Sequence, residues 1–138
     1  MKYTLDMLKN DMPPLFCERL DKIFLPQHRD NCFHSFYETK PTFFRVNTLL
    51  SKMELVLQKI KDEQIHFEIF PEYDNVFYVR PEFRDQLTHS QTFMNKLIYI
   101  QNLSSMLPVF ALNPKPNEEI LDISAAPGSK TLQMASLM

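Results

Sequence analysis

Apolar residues recur at helical steps early in the chain, at strand steps in the middle, and in short mixed runs towards the end. Leu15, Phe16, Leu20, Ile23 and Phe24 fall three and four apart, which predicts a helix with one apolar stripe. Pro13-Pro14 opens this helix, because a proline in the first turn gives up no intrahelical bond, and Pro26 is expected to end it. A second helix is expected from Gln27 to Tyr37, burying Cys32, Phe33, Phe36 and Tyr37. Lys40-Pro41 closes this unit, since the residue before a proline is driven towards extended geometry.

From Thr42 the period changes. Thr42–Thr48 is β-branched and aromatic, and alternation puts Phe44 and Val46 on one face with Phe43, Arg45 and Asn47 on the other. A helix carrying Met53, Leu55, Val56, Leu57 and Ile60 follows, with Ser51 and Glu54 spaced as a capping box. Strands are expected at His66–Phe70, Val76–Arg80 and Leu97–Ile100, with a weaker helix over Phe83–Phe93 before the last. The order βαββαβ predicts a small ferredoxin-like or RRM-like α+β domain over residues 41–101, preceded by a helical segment over 1–40. In residues 102–138 a short helix is expected from Ser104 to Leu112, with Pro108 kinking it or marking its first turn. A turn at Asn113–Asn117, a buried strand at Glu119–Ile123 and a helix at Ser129–Met138 complete the pattern.

Composition narrows the function only slightly. The net charge is -2, and acids and bases are spread evenly, so no segment is a basic nucleic-acid arm. Cys17 and Cys32 have no CxxC partner, which excludes a four-cysteine zinc site, and no metal site is expected. The opening Met1–Asp6 carries an acid where a signal peptide needs an apolar run. The uncharged, apolar-rich stretch Leu103–Leu112, interrupted by two serines and a proline, falls short of the ~20 apolar residues a membrane span requires. The expectation is a soluble, cytoplasmic protein with no membrane partner.

The chain holds one glycine, Gly128, where a chain this long averages about ten. It stands between the expected strand and the expected last helix, after the small residues Ser124, Ala125 and Ala126. Such a bend lets backbone approach a ligand, and the amides and dipole of the following helix favour a carboxylate or phosphate. The P-loop requires a glycine directly before lysine, but Ser129 separates Gly128 from Lys130; the dinucleotide fingerprint requires three glycines. Both fail.

Asp122-Ile123-Ser124-Ala125-Ala126-Pro127-Gly128-Ser129-Lys130-Thr131 resembles the cofactor loop of the Sun family of RNA cytosine-5 methyltransferases, whose usual form is D-x-C/A-A-A-P-G-G/S-K-T. Arg45-Val46-Asn47-Thr48-Leu49 and Tyr99–Pro108 are similar to two further segments of that family, and the spacing is most like the RsmF-type rRNA enzymes. Two positions depart from the pattern. Ser124 replaces a cysteine or alanine, and Lys96 stands where the family usually has glycine, so that Asn95 is expected to absorb any positive φ.

The resemblance implies methyl transfer from S-adenosyl-L-methionine to C5 of a cytosine in RNA, 16S rRNA first and tRNA second. It implies that Ser124, Ala125, Ala126, Pro127, Gly128, Ser129 and Lys130 hold the cofactor, and that residues 102–138 begin a Rossmann-like methyltransferase domain. In the family one cysteine attacks C6 of cytosine and a second helps resolve the adduct. Both lie beyond the region this sequence covers, so no catalytic residue is assigned and the chain alone is expected to be inactive. Cys17 and Cys32 precede the loop and match no family motif. Ile120, Leu121, Ile123, Leu132, Met134 and Leu137 are expected to lack neighbours, leaving the tail to pair with another chain or to dock on the small domain. Two readings stay open for Arg45 and Asn47: contact with RNA or the catalytic domain, or a strand face paired with nearby acids. Phe43, Phe44, Phe67, Phe77 and Tyr78 stand between base stacking and core, with core favoured. Asp122 stands between cofactor contact and satisfying loop amides, and Lys130 between the pocket and solvent. A non-catalytic RNA-binding or assembly module, and a truncated product without activity, are the competing functions.

Overall fold

The computed structural model describes residues 9–138, which divide into two compact units between Thr39 and Lys40. The signal-peptide reading of Met1–Asp6 lies outside the described residues.

The first unit pairs α1 (Pro14–Ile23) with α2 (Pro26–Ser35). Pro26 starts α2 instead of ending α1, which stops at Ile23 with Phe24 already extended. Cys17, Leu20 and Phe33 form its core, with Met12, Cys32 and Tyr37 against them. The expected stripe is corrected here: Leu15 and Ile23 are exposed, as is Phe36, which meets Phe16 edge-on at 5.6 Å. A ten-residue helix facing a single partner buries a narrow face, and the one it uses runs through Cys17 and Leu20. Asp21 bridges Lys9 and Arg29, both at 3.2 Å.

The second unit is built on a four-stranded sheet of order β2-β3-β1-β4, antiparallel throughout. Its strands are β1 (Thr42–Val46), β2 (Glu68–Ile69), β3 (Phe77–Val79) and β4 (Ile98–Ile100). In the register, Phe44 lies opposite Phe77 and Ile100, and Arg45 opposite Tyr99. Helix α3 (Met53–Asp62) links β1 to β2. A 3₁₀ turn (Pro81–Phe83), α4 (Arg84–Thr88) and α5 (Gln91–Met94) link β3 to β4. The single helix expected over Phe83–Phe93 is therefore two short ones. Ser90 separates them, donating to the Leu87 carbonyl at 2.7 Å and accepting from the Phe93 amide at 3.0 Å.

Phe44, Val46, Val56, Ile60, Ile65, Phe77, Val79, Leu87 and Ile98 make one core between the sheet and these helices. At about 1.5–3 kcal/mol for each large side chain removed from water, this cluster is the main source of the unit's stability. The capping box does not form. The Leu50 and Ser51 amides both turn back to the Asn47 carbonyl, and α3 begins after Lys52 with no side-chain cap. Asn75 completes β1 by imitating a strand: its side-chain amide donates to the Val46 carbonyl and accepts from the Val46 amide, each at 2.9 Å.

Helices α6 (Leu103–Leu112) and α7 (Ser129–Leu137) pack together, and Gln133 of α7 bonds to Gln101 just past β4. Pro108 lies inside α6, and Asn113 ends it in the left-handed region at φ 50°. Phe110 stacks on Tyr73 at 4.1 Å with the rings 4° apart. The expected strand at Glu119–Ile123 is absent. A strand exists only through its neighbours, and here Leu121 and Ile123 stand 86% and 91% exposed and pair with no strand among the described residues. Met134, expected to be unpartnered, is buried.

Candidate functional site

Gly128 precedes α7 at φ 101°, ψ 1°, a conformation that L side chains rarely adopt. Space is not what calls for glycine here. A Cβ would meet nothing closer than the Ala125 carbonyl oxygen at 4.0 Å, so the requirement is the backbone angle itself. Ser124, Ala125, Ala126, Pro127 and Lys130 are exposed, Gly128 and Ser129 half-buried, and the Ala126–Pro127 peptide is cis. The first internal bond of α7 runs from the Leu132 amide to the Gly128 carbonyl at 2.8 Å. Among the described residues the amides of Ser129, Lys130 and Thr131 have no partner, so the helix offers its first-turn donors to whatever reaches the bend.

Asp122 ties this bend together. Its Oδ1 accepts from the Ser124 amide at 3.0 Å, and its Oδ2 from the Thr131 hydroxyl at 2.7 Å. The Thr131 hydroxyl first, the Ser124 amide next and Lys130 nearby hold this carboxyl below the usual carboxylate range. Asp122 thus satisfies loop donors and joins the start of the bend to the first turn of α7.

No family model matches the chain. Among curated proteins it is similar to ribosomal RNA small subunit methyltransferase F of Shewanella piezotolerans, 34% identical over 122 residues, which is 83% of this chain and 25% of that protein. The Vibrio campbellii protein of the same name is 34% identical over 92% of the chain and 27% of its own length. The Vibrio parahaemolyticus one is 40% identical over 68% and 20%. Two solved structures superpose on 99% of the chain. PH0851 does so with TM-score 0.76, 26% identity and 31% of its own length covered. A methyltransferase homologue protein from Pyrococcus horikoshii does so with TM-score 0.73, 31% identity and 45% covered. The chain is a Sun-family relative, matching the RsmF-type proteins over their N-terminal region. It spans only 20–27% of the length of those curated relatives.

In this RsmF-like chain Arg45 does not pair with an acid. It is 4% exposed, and its Nε donates to the Gln101 Oε1 at 3.2 Å while its guanidinium lies 5.8 Å from the Tyr99 ring centre. Burial pushes it down to about 10, partly offset by Tyr99, so the cation persists at neutral pH. Asn47 donates to the Lys96 carbonyl at 3.0 Å and holds a turn. Lys96, not Asn95, takes the positive φ, at 59°. Phe44 stacks on Phe77 at 5.5 Å with Phe67 edge-on, all within or against the core, while Phe43 and Tyr78 are half-buried on the opposite face beside Phe70. Cys17 and Cys32 lie in the first unit's core, and among the described residues no cluster could hold a metal ion.

Sequence reasoning passed over Gln101 and Gln133. Gln133 is 1% exposed, accepts from Gln101 at 3.3 Å and donates to the Met106 carbonyl at 3.3 Å. The available signal was two glutamines at positions that helix and strand periodicity place inside.

Proposed function

We propose that the chain is the N-terminal part of an S-adenosyl-L-methionine-dependent RNA (cytosine-5)-methyltransferase, cytoplasmic, whose RNA is small-subunit rRNA. In this reading residues 1–40 are a helical segment, 41–101 a ferredoxin-like domain and 102–138 the opening of a Rossmann-like domain. Ser124–Lys130 form one wall of the methyl-donor site. The observation that carries the proposal is the bend itself: small exposed residues, one glycine at φ 101°, and unbonded first-turn amides in a chain similar to named methyltransferases.

These features fit the donor. The carboxylate of its amino-acid end is the kind of group that free helix amides and a dipole's positive end favour, and no side chain of Ser124–Gly128 is large enough to block its approach. S-adenosyl-L-methionine, when bound, supplies an electrophilic methyl group on a sulfonium. Asp122 and Thr131 keep the bend in shape, and Lys130 is exposed beside it. The catalytic cysteines of the family would come from outside this region, so the chain's own residues bind and orient and transfer nothing.

Isothermal titration tests this directly. S-adenosyl-L-methionine should bind the 138-residue chain weakly or not at all, and measurably once the remaining portion of the Vibrio campbellii relative is supplied in trans. Binding that is no better with that portion present would refute the reading.

A further inference from the structure

Arg45, Gln101 and Gln133 run as a buried line from the middle of the sheet to helix α7, and they end on a backbone carbonyl of α6. Their order has a chemical direction. A guanidinium only donates, so Gln101 must turn its oxygen towards Arg45 and its nitrogen towards Gln133. Gln133 must then turn its own oxygen to Gln101 and its nitrogen to the Met106 carbonyl. One cation therefore sets the orientation of two amides in a place where water does not compete. Exposures of 4%, 6% and 1% along the line make an unmade bond costly at each step.

We infer that Arg45 is a positioning residue for the Gly128 bend: through Gln101 and Gln133 it locks α7 on the sheet and so holds the first-turn amides where a ligand meets them. Leu132, whose amide closes the first bond of α7 onto Gly128, precedes Gln133 directly, so the last link of the relay sits one residue from the bend's own anchor. This inference rests on the proposed reading of Ser124–Lys130 for its purpose, but its test needs no methyl donor.

The test is a double-mutant cycle on the 138-residue chain, read by hydrogen exchange at individual amides. Arg45→Met and Gln133→Leu each remove one end of the relay, and the two are linked through Gln101. Each should lower protection of the α7 amides from Leu132 onwards by about tenfold while the β1 and β4 amides keep theirs. The double variant should lose little more than either single one, because a relay broken at one end transmits nothing from the other. Gln133→Glu guards against a variant that fails to fold: it still accepts from Gln101 but cannot donate to Met106, and it too should loosen α7 selectively. Losses that multiply, or that spread equally over the sheet, overturn the relay and leave the donor titration unaffected. A coupled cycle alongside absent donor binding in the supplemented chain removes the relay's purpose and the loop reading together.

Discussion

At the scale of single residues, Asp122 is the group whose charge the bend depends on. Its carboxylate is held below the ordinary range by the Thr131 hydroxyl and the Ser124 amide, so the folded form favours ionisation more than the unfolded chain does. The sign follows from that depression. The anchorage is fully present above the unfolded value of about 3.9, and it is lost as pH falls through the lower folded value. A pH titration followed at the Ser124 amide resonance should therefore show a single step below pH ~4. Thr131→Val removes the larger cause and should return the midpoint towards the ordinary carboxylate value. An unchanged midpoint in that variant would mean the hydroxyl does not hold the charge. Arg45 shows the opposite situation, a cation kept in a poorly solvated place by one amide and a ring and not by an acid. Its burial was invisible in the sequence. Strand alternation assigns it to a face without saying that Gln101 and, through it, Gln133 of α7 would close over it.

Among secondary elements, the informative ones are the helix ends, because this chain has almost no glycine to place there. Helix α5 ends in the pattern where the second residue past the cap bonds back to the third-last carbonyl. Leu97 donates to Thr92 at 3.1 Å and Lys96 to Phe93 at 2.9 Å, with Lys96 at φ 59°. Helix α3 ends the same way, with Ile65 donating to Ile60, Gln64 to Lys61, and Gln64 at φ 58°. A left-handed conformation costs a non-glycine residue roughly 1–2 kcal/mol. Lys96→Gly should accordingly raise the unfolding free energy of the chain by up to about 1 kcal/mol in urea melts, part of the gain being offset by glycine's greater unfolded-state entropy. No gain would mean that the lysine makes compensating contacts. Asparagine tolerates positive φ well, which points to Asn95 from the sequence, yet the hydrogen-bond pattern needs the left-handed residue one position later. The sheet itself was legible, since Phe44, Val46, Phe77, Val79 and Ile98 alternate in short β-branched and aromatic runs. The capping box was not, because the Asn47 carbonyl competes for the same turn.

For the whole molecule, the question is what residues 119–123 are for. Ile120–Ile123 reads as a strand from its side chains, and among the described residues it joins no strand. Helix α7 meanwhile finds a place on α6 and through Gln133, so the two ends of the Gly128 bend differ: one is anchored, the other is open. Leu121 and Ile123 contribute nothing to the stability of the chain as it stands, but each would contribute about 1.5–3 kcal/mol on burial against a neighbouring strand. That asymmetry gives a prediction with two halves. Ile123→Asp should change the unfolding free energy of the 138-residue chain by less than about 0.5 kcal/mol, as for an exposed surface position. The same substitution should weaken capture of the remaining portion of the Vibrio campbellii relative by at least tenfold, since a strand with an aspartate facing inwards buries an unpaired charge. Chemical denaturation checks the first half and a pull-down titration the second. Destabilisation of the isolated chain by a kcal/mol or more would show that Ile123 already packs inside it, and equal capture by both variants would show that this segment is not the edge on which a larger sheet grows.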